Sequence, residues 1–363
     1  MGCLQKPIWN KFTREELNGL SIEAPEEAVR KQICKNWDGV AKPIDGMGRF
    51  ETLTAQIGAI IGTDKIDISR KAVIIMCADN GIVTEGISQS GQEVTAAVAG
   101  EMAEKQSAVG KMAALIGADT IPVDIGINRE EPIEGVLNRK IRCGTGNFRK
   151  EPAMTEEEAI RAIAVGIDMV ASCKEAGYHI LATGEMGIGN TTTSSAVAAA
   201  LLPCEVGQVT GRGAGLDDAG LSRKRQVIGE AILKYHLDKA DALTVLATVG
   251  GLDIAGLAGV CMGGALFHVP IVLDGVISMV AALVAEHLLP GTKAFLLPSH
   301  KGKELAVERL MRALGLEPVI DGRLALGEGT GAVMMFALLD MVLKVYSDRT
   351  TFADIEIEQY KRF

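Results

Sequence analysis

Residues 178–202 read YHILATGEMGIGNTTTSSAVAAALL. An apolar strand, Tyr178–Ala182, runs into Gly184-Glu185-Met186-Gly187-Ile188-Gly189-Asn190, and a helix starts within the Thr191–Ser195 run. This is the strand–helix unit of an open parallel sheet. Backbone N–H groups free at a helix start, with glycines that admit close approach, make an anion site. A P-loop would end in Gly-Lys-Ser/Thr, and that ending is missing. Two readings stand: a turn with good capping residues, or a ligand loop. Three glycines, Asn190 and Glu185 at the carboxyl end of a strand favour the second, because open sheets bind ligands there.

Outward from this unit, similar apolar runs recur at Ala72–Cys77, Thr120–Ile125, Leu243–Ala247, Val269–Leu273 and Ala294–Leu297. Ala72–Cys77 (AVIIMC) is apolar throughout, as a strand buried on both faces must be. Helical stretches lie between: Thr155–Cys173, opened by a capping box of Thr155 and Glu158, then Leu221–Tyr235 and Gly302–Leu314. Six strands alternating with helices predict an α/β fold, a doubly wound, mainly parallel six-stranded sheet with right-handed crossovers. Residues 1–50 carry no convincing strand, and a long apolar helix follows Gly331. The expected division is a large domain, 50–330, beside a small helical subdomain built from 1–49 and 331–363.

Glycine is the compositional outlier, 42 of 363 residues, against a usual ~7%. The glycines cluster between apolar runs rather than in linkers, where tight turns and close approach to a ligand need a residue without Cβ. A net charge of −9 and an aromatic content of 4% argue against a nucleic-acid surface. Seven scattered cysteines form neither a disulfide framework nor a zinc site and suit a reducing cytoplasm. The opening MGCLQKPIWN lacks an apolar signal core, and Lys6 stands where a myristoylation motif after Gly2 wants Ser or Thr. Residues 254–273 carry no full charge and are long enough to span a bilayer. They hold four glycines, His268 and Pro270 between Asp253 and Asp274, so a buried helix and short strand are expected, and no membrane span.

Three further segments carry chemistry. In Val209–Arg225, VTGRGAGLDDAGLSRKR, Gly211, Gly213 and Gly215 surround Arg212, and Lys224 lies two turns into the next helix. One of Asp217 and Asp218 is expected to cap that helix. A paired-aspartate magnesium site would need further carboxylates at ligand spacing. In Arg323–Ala332, RLALGEGTGA, one carboxylate, Glu328, sits on an open glycine backbone. It reads either as a general base or as a complement to the next helix's dipole, with Thr330 as cap. The loop Ala78–Thr95 follows a buried strand and is of the kind that holds a ligand. The five histidines stand at no metal-ligand spacing to one another and read as structural.

Taken in order, WDGVAKPIDGMGRFE (37–51), CADNGIVTEGISQSGQEVT (77–95), GEMGIGNTTTSSA (184–196), TGRGAGLDD (210–218), GGLDIAGLAG (250–259), PIVLDG (270–275), PSHKG (298–302) and LALGEGTGA (324–332) resemble the nicotinate-nucleotide–dimethylbenzimidazole phosphoribosyltransferases. The resemblance implies transfer of 5-phosphoribosyl from nicotinate mononucleotide to an aromatic base, with inversion to the α anomer, in cobalamin nucleotide-loop assembly. It implies Glu328 as the base that takes the acceptor's N–H proton, with Glu185 near the same centre. It implies phosphate and ribose contacts from Gly187, Gly189, Asn190, Gly213, Lys224 and Gly302. Ser is common in the family where Gly302 stands. Base contacts would come from Ser90, Val98 and Leu326, with Val98 where some members carry Gln. No cofactor or metal is implied, since a pyridinium departs as a neutral ring and leaves no diphosphate to neutralise. A cytoplasmic homodimer is implied as well. Two rivals remain: a dinucleotide oxidoreductase, which would need Gly-x-Gly-x-x-Gly at the first strand, and a non-catalytic nicotinate-nucleotide-binding or sensor protein.

Overall fold

A computed structural model describes residues 12–362; Gly2, Cys3 and Lys6 lie outside the described residues. Six strands form one sheet: β1 (Lys71–Ala78), β2 (Asp119–Gly126), β3 (Leu137–Asn138), β4 (Ile180–Met186), β5 (Ile271–Leu273) and β6 (Leu296–Pro298). Their order is β3-β2-β1-β4-β5-β6, and every pairing is parallel. The chain fills one side of β1 and then returns to fill the other. The order therefore reverses between β1 and β4, and open sheets of this kind bind ligands in the crevice beyond that point. Asp79 and Asn80 follow β1 there, and Glu185 and Met186 end β4.

Alternation along β1 divides the core into two layers. Ala72, Ile74, Met76 and Ala78 face the first cluster, with helices Glu156–Glu175, Leu252–Leu266 and Val276–Leu288. Val73, Ile75 and Cys77 face the second, with helices Arg49–Ile61, Ala108–Leu115 and Thr330–Ser347. Both faces are covered, which is why β1 is buried at all eight positions.

Several expectations need correction. Leu243–Ala247 is not a strand but part of helix Ala242–Val249, capped by Asp241, whose Oδ1 accepts the Thr244 N–H at 2.8 Å. A short apolar run does not distinguish a buried strand from a buried helix. The sixth strand is β3, two partly exposed residues that leave no apolar signature. Of the run at 294–297, residues 294–295 belong to the 3₁₀ turn Thr292–Phe295, entered through Gly291 at φ +99°, and only 296–297 lie in β6. The helix expected from Gly302 starts at Val307, because Gly302 ends β7 (His300–Gly302), which pairs in parallel with β8 (Ile320–Leu324) in a second, two-stranded sheet. The capping box of Thr155 and Glu158 is present. Residues 254–273 hold all but the first two residues of the buried helix Leu252–Leu266, and β5.

Residues 37–45 meet the C-terminal part of the described chain. Val40 bridges Thr351, the Trp37 and Tyr346 rings lie 5.1 Å apart, and Arg362 pairs with Asp38 and Asp45. Helix Thr330–Ser347 is long and apolar enough to cross a membrane. One side of it, including Ala332, Phe336, Leu339 and Leu343, packs into the second core layer, and Asp340 pairs with the buried Lys71 at 2.5 Å.

Helices Glu156–Glu175 and Leu252–Leu266 touch backbone to backbone. A methyl on Gly259 would stand 1.9 Å from the Ile163 carbonyl oxygen, and one on Gly166 2.0 Å from that of Gly256. Gly259→Ala is expected to cost about 3 kcal/mol in denaturant unfolding, since overpacking against backbone has no side chain to yield. Gly229→Ala, on helix Asp218–Lys234 with nothing within 4 Å, is expected to stabilise by about 0.5–1 kcal/mol. Equal effects of the two would refute the close-contact account.

Candidate active site

β4 delivers Glu185 to the sheet's edge, and the chain then turns through Gly187 and Gly189 into helix Asn190–Leu201. Gly189 has φ +95° and serves as N-cap without a side-chain bond. The Asn190 amide is engaged on both sides. Its Nδ2 donates to Glu185 Oε2 at 2.5 Å and to Asp253 Oδ2 at 3.1 Å.

Glu328 approaches from the far end of the chain. Gly327, Glu328 and Gly329 have φ of +87°, +64° and +98°. Three consecutive left-handed residues throw the loop over the end of β4, and the middle one is strained for a side chain. A methyl on Gly184 would stand 2.5 Å from the Glu328 carbonyl oxygen, and one on Gly327 2.4 Å from Glu185 Oε1. The two glutamates, 143 positions apart in the chain, are therefore neighbours.

The helix after Glu328 is not capped as expected. Gly329 is its N-cap, and Thr330 is its first residue, its hydroxyl donating to the Gly327 carbonyl at 2.9 Å. The helix end is served from across the sheet by Asp274, just beyond β5. Its carboxylate accepts N–H bonds from Gly329 at 3.1 Å, Gly331 at 2.8 Å and Ala332 at 3.2 Å. Glu328 is released from that duty. Its Oε2 accepts instead from the Val109 N–H at 3.2 Å, at the start of helix Ala108–Leu115.

Lys224 extends from helix Asp218–Lys234 and is 1% exposed. Its Nζ donates to Thr191 Oγ1 at 2.8 Å, and Gly213, at φ +54°, leaves the room that a side chain would fill beside both. Burial pulls the ammonium down to about 8, opposed by the charge of Glu304. An ammonium with three donors, held beside a helix start, suits a phosphate. Of the adjacent pair, Asp217 caps the helix through the Gly220 N–H, and Asp218 pairs with Arg212. Among the described residues no group of His, Cys, Asp and Glu is arranged to hold a metal ion.

A cleft beside these parts is lined by Glu185, Thr191, Asp274, His300, Glu304, Leu326 and Gly327 among others; Glu328 and Lys224 stand next to lining residues, Gly327 and Thr191, but do not line it themselves. Burial dominates its electrostatics. The Glu185 carboxyl keeps some surface toward the cleft but is surrounded by protein, and desolvation with the charges of Asp253, Asp274 and Glu328 raises it to about 8. Asp253 is raised to about 7 by burial, against hydrogen bonds from Asn190 and Ile254. Asp274 reaches about 7 for the same reason, against its backbone donors. Burial raises Glu304 and lowers His300, whose Nδ1 lies 2.9 Å from Ser299 Oγ and 4.0 Å from Asp274.

The structure thus brings together Glu185, Glu328, Gly187, Gly189 and Asn190, with Gly213 and Lys224 joined through Thr191 and Leu326 on the rim. Gly302 lies beside Glu304. Ser90 and Val98 do not line this cleft; Val98 packs with the second core layer. Sequence reasoning missed Asp253, Asp274, His300, Glu304 and Thr191. The two aspartates bound the uncharged stretch 254–273, and an acid directly after a buried strand was the available signal. His300, read as structural, borders the cleft.

A family model described as phosphoribosyltransferase matches residues 22–357. The chain belongs to this phosphoribosyltransferase family. A protein of Acetivibrio thermocellus named nicotinate-nucleotide–dimethylbenzimidazole phosphoribosyltransferase is 43% identical over 94% of this chain and 97% of its own. One of the same name from Clostridium acetobutylicum is 42% identical over 95% of this chain and 97% of its own. The crystal structure of CobT from Thermus thermophilus superposes with a TM-score of 0.87 at 35% identity, over 92% of this chain and all of that one. The family resemblance read from the motifs is confirmed, and with it the phosphoribosyltransferase fold.

Glu185 binds its proton more tightly folded, at about 8, than at the ordinary 4.5. Its contribution to stability is thus fully present below about 4.5 and lost as pH rises to about 8. Thermal unfolding of Glu185→Gln should therefore decline less between pH 5 and 8.5 than that of the parent. An unchanged pH dependence would mean that the carboxyl is not held un-ionised.

Proposed function

We propose that this phosphoribosyltransferase moves the 5-phosphoribosyl group of nicotinate mononucleotide to 5,6-dimethylbenzimidazole or a related base, releasing nicotinate and inverting the anomeric carbon. The observation that carries the reading is the meeting of Glu328 with Glu185 at the end of β4, one helix start away from the buried Lys224. A phosphate seated at Lys224, Gly213 and the Gly187–Asn190 turn would set the ribose over the two glutamates. The attacking azole nitrogen forms a bond to the anomeric carbon while the bond to the pyridinium nitrogen breaks, and that electron pair leaves with nicotinate. The azole's N–H proton goes to Glu328. A carboxylate gripped by a single backbone N–H is free to do this. Glu185, raised to about 8, is suited to donating a hydrogen bond rather than to taking that proton.

Leu326, exposed on the rim, is proposed to touch the base, and Ser90 and Val98, which lie outside the cleft lined by Glu185, to wall it from the loop and helix that follow β1; Gly302 offers a backbone amide near the phosphate. A small unit from 1–49 and 331–363 beside the domain 50–330, a cytoplasmic location and a homodimer belong to the same proposal. Exposed Met334, Met341 and Val345 on one side of helix Thr330–Ser347 support a second copy.

The test is nicotinate release from nicotinate mononucleotide by the purified protein, with dimethylbenzimidazole, benzimidazole, adenine or p-cresol. Release that depends on the acceptor is expected. Nucleotide binding without release would favour a sensor protein. Glu328→Gln should keep nucleotide binding and lose ~10²–10⁴-fold in kcat; full activity would move the role to Glu185. Lys224→Ala should raise the donor KM more than it lowers kcat, and an unchanged KM would remove Lys224 from the phosphate site.

A further inference from the structure

Asp253 has no role in the transfer as read above, yet it is fully buried and touches the site from behind. Its Oδ2 accepts the same Asn190 amide that donates to Glu185. A methyl on Gly187 would stand 2.6 Å from that oxygen, so Asp253 also packs against the turn between Glu185 and Asn190. Its Oδ1 accepts the Ile254 N–H at 3.0 Å, which fixes the carboxyl on the end of helix Leu252–Leu266. One amide NH₂ group has two protons, and here each goes to a different carboxyl. Turning the Asn190 amide would break both bonds.

We infer that Asp253 is a positioning residue for Glu185: through Asn190 it holds the Glu185 carboxyl in one orientation at the cleft, as a hydrogen-bond donor to the bound substrate. The inference rests on the transferase reading for what that substrate is. The surroundings support it. Asp253 faces Glu185 from its helix, Asp274 from the end of β5 and Glu328 from its loop, all of them acidic. Behind the cleft Lys224 is tied to the lining residue Thr191, the cleft's His300 is tied to Ser299, and Glu304 adds another acid near Lys224. Among so many acids a proton on Glu185 is the way to lower the repulsion.

The experiment measures nicotinate release between pH 5.5 and 9.5 by the full-length parent, Asp253→Ala and Asp253→Asn, with saturating nucleotide and dimethylbenzimidazole. Asp253→Ala should lose ~10²-fold in kcat with the donor KM within about two-fold, the signature of lost orientation. Asp253→Asn still offers an oxygen to the Asn190 amide and should recover about ten-fold of that loss. With a negative neighbour removed, its alkaline limb should move about one unit to lower pH. A parent-like Asp253→Ala, or a loss confined to KM, would overturn the inference. If Asp253→Ala does not fold, an unshifted alkaline limb in Asp253→Asn overturns it. If the parent itself releases no nicotinate, the transferase reading fails separately, and infrared absorption decides the positioning. A protonated-carboxyl band that is lost in Glu185→Gln and titrates at lower pH in Asp253→Asn supports it; a band unmoved by Asp253→Asn overturns it.

Discussion

Two loops can cross at the end of β4 only because neither has a side chain at the point of contact. Gly184 lies under the Glu328 carbonyl, Gly327 lies against the Glu185 carboxyl, and Gly187 leaves its space to Asp253. A Cβ at any of these would push a glutamate away from its neighbours. The same device works at larger scale beneath the sheet, where Gly166 and Gly259 let two helices touch and bring Asp253, at the end of one of them, up behind the site. The abundance of glycine is therefore a property of the site's geometry and of the layer that supports it.

Crowding acids into that space has an electrostatic consequence. Asp274 is stabilised in its buried position by three backbone N–H groups of the segment that follows Glu328. The bonds satisfy a helix end that has no side-chain cap of its own, and they tie the Glu328 loop to β5. Asp253 and Glu185 share one amide donor between them, and Asp253 accepts the Ile254 N–H besides. At all three carboxyls burial outweighs hydrogen bonding and moves them toward neutrality. Across the cleft, Lys224 meets the opposite problem, a buried cation whose hydrogen-bond partner is a neutral hydroxyl. An anionic ligand would resolve it.

Much of this was legible from residues alone. AVIIMC read as a doubly buried strand because its apolar run is unbroken, and GEMGIGN read as a ligand loop because its glycines follow such a strand. The strand–helix alternation gave the doubly wound class but not the order of strands, which depends on pairings between distant segments. Leu243–Ala247 misled because a helix buried on all sides is as apolar as a strand, and its marker, Asp241, lay just outside the run. β3 was invisible, being two residues at an edge. The glutamates could be picked out one by one, but their contact could not. Asp274 escaped notice because its partners are backbone N–H groups 55 to 58 positions away, and no side-chain pattern records such a bond.

Glu185, Asp253, Asp274 and Glu328 are drawn from widely separated parts of the chain, and each reaches the site on a different element. Bringing them together costs loop-closure entropy, because the segments that carry them are far apart in the chain. In the unfolded chain the carboxyls of Glu185, Asp253 and Asp274 stand in water and are ionised at neutral pH. Folding therefore takes up protons from solution at these three groups, and acidification favours the folded state through them.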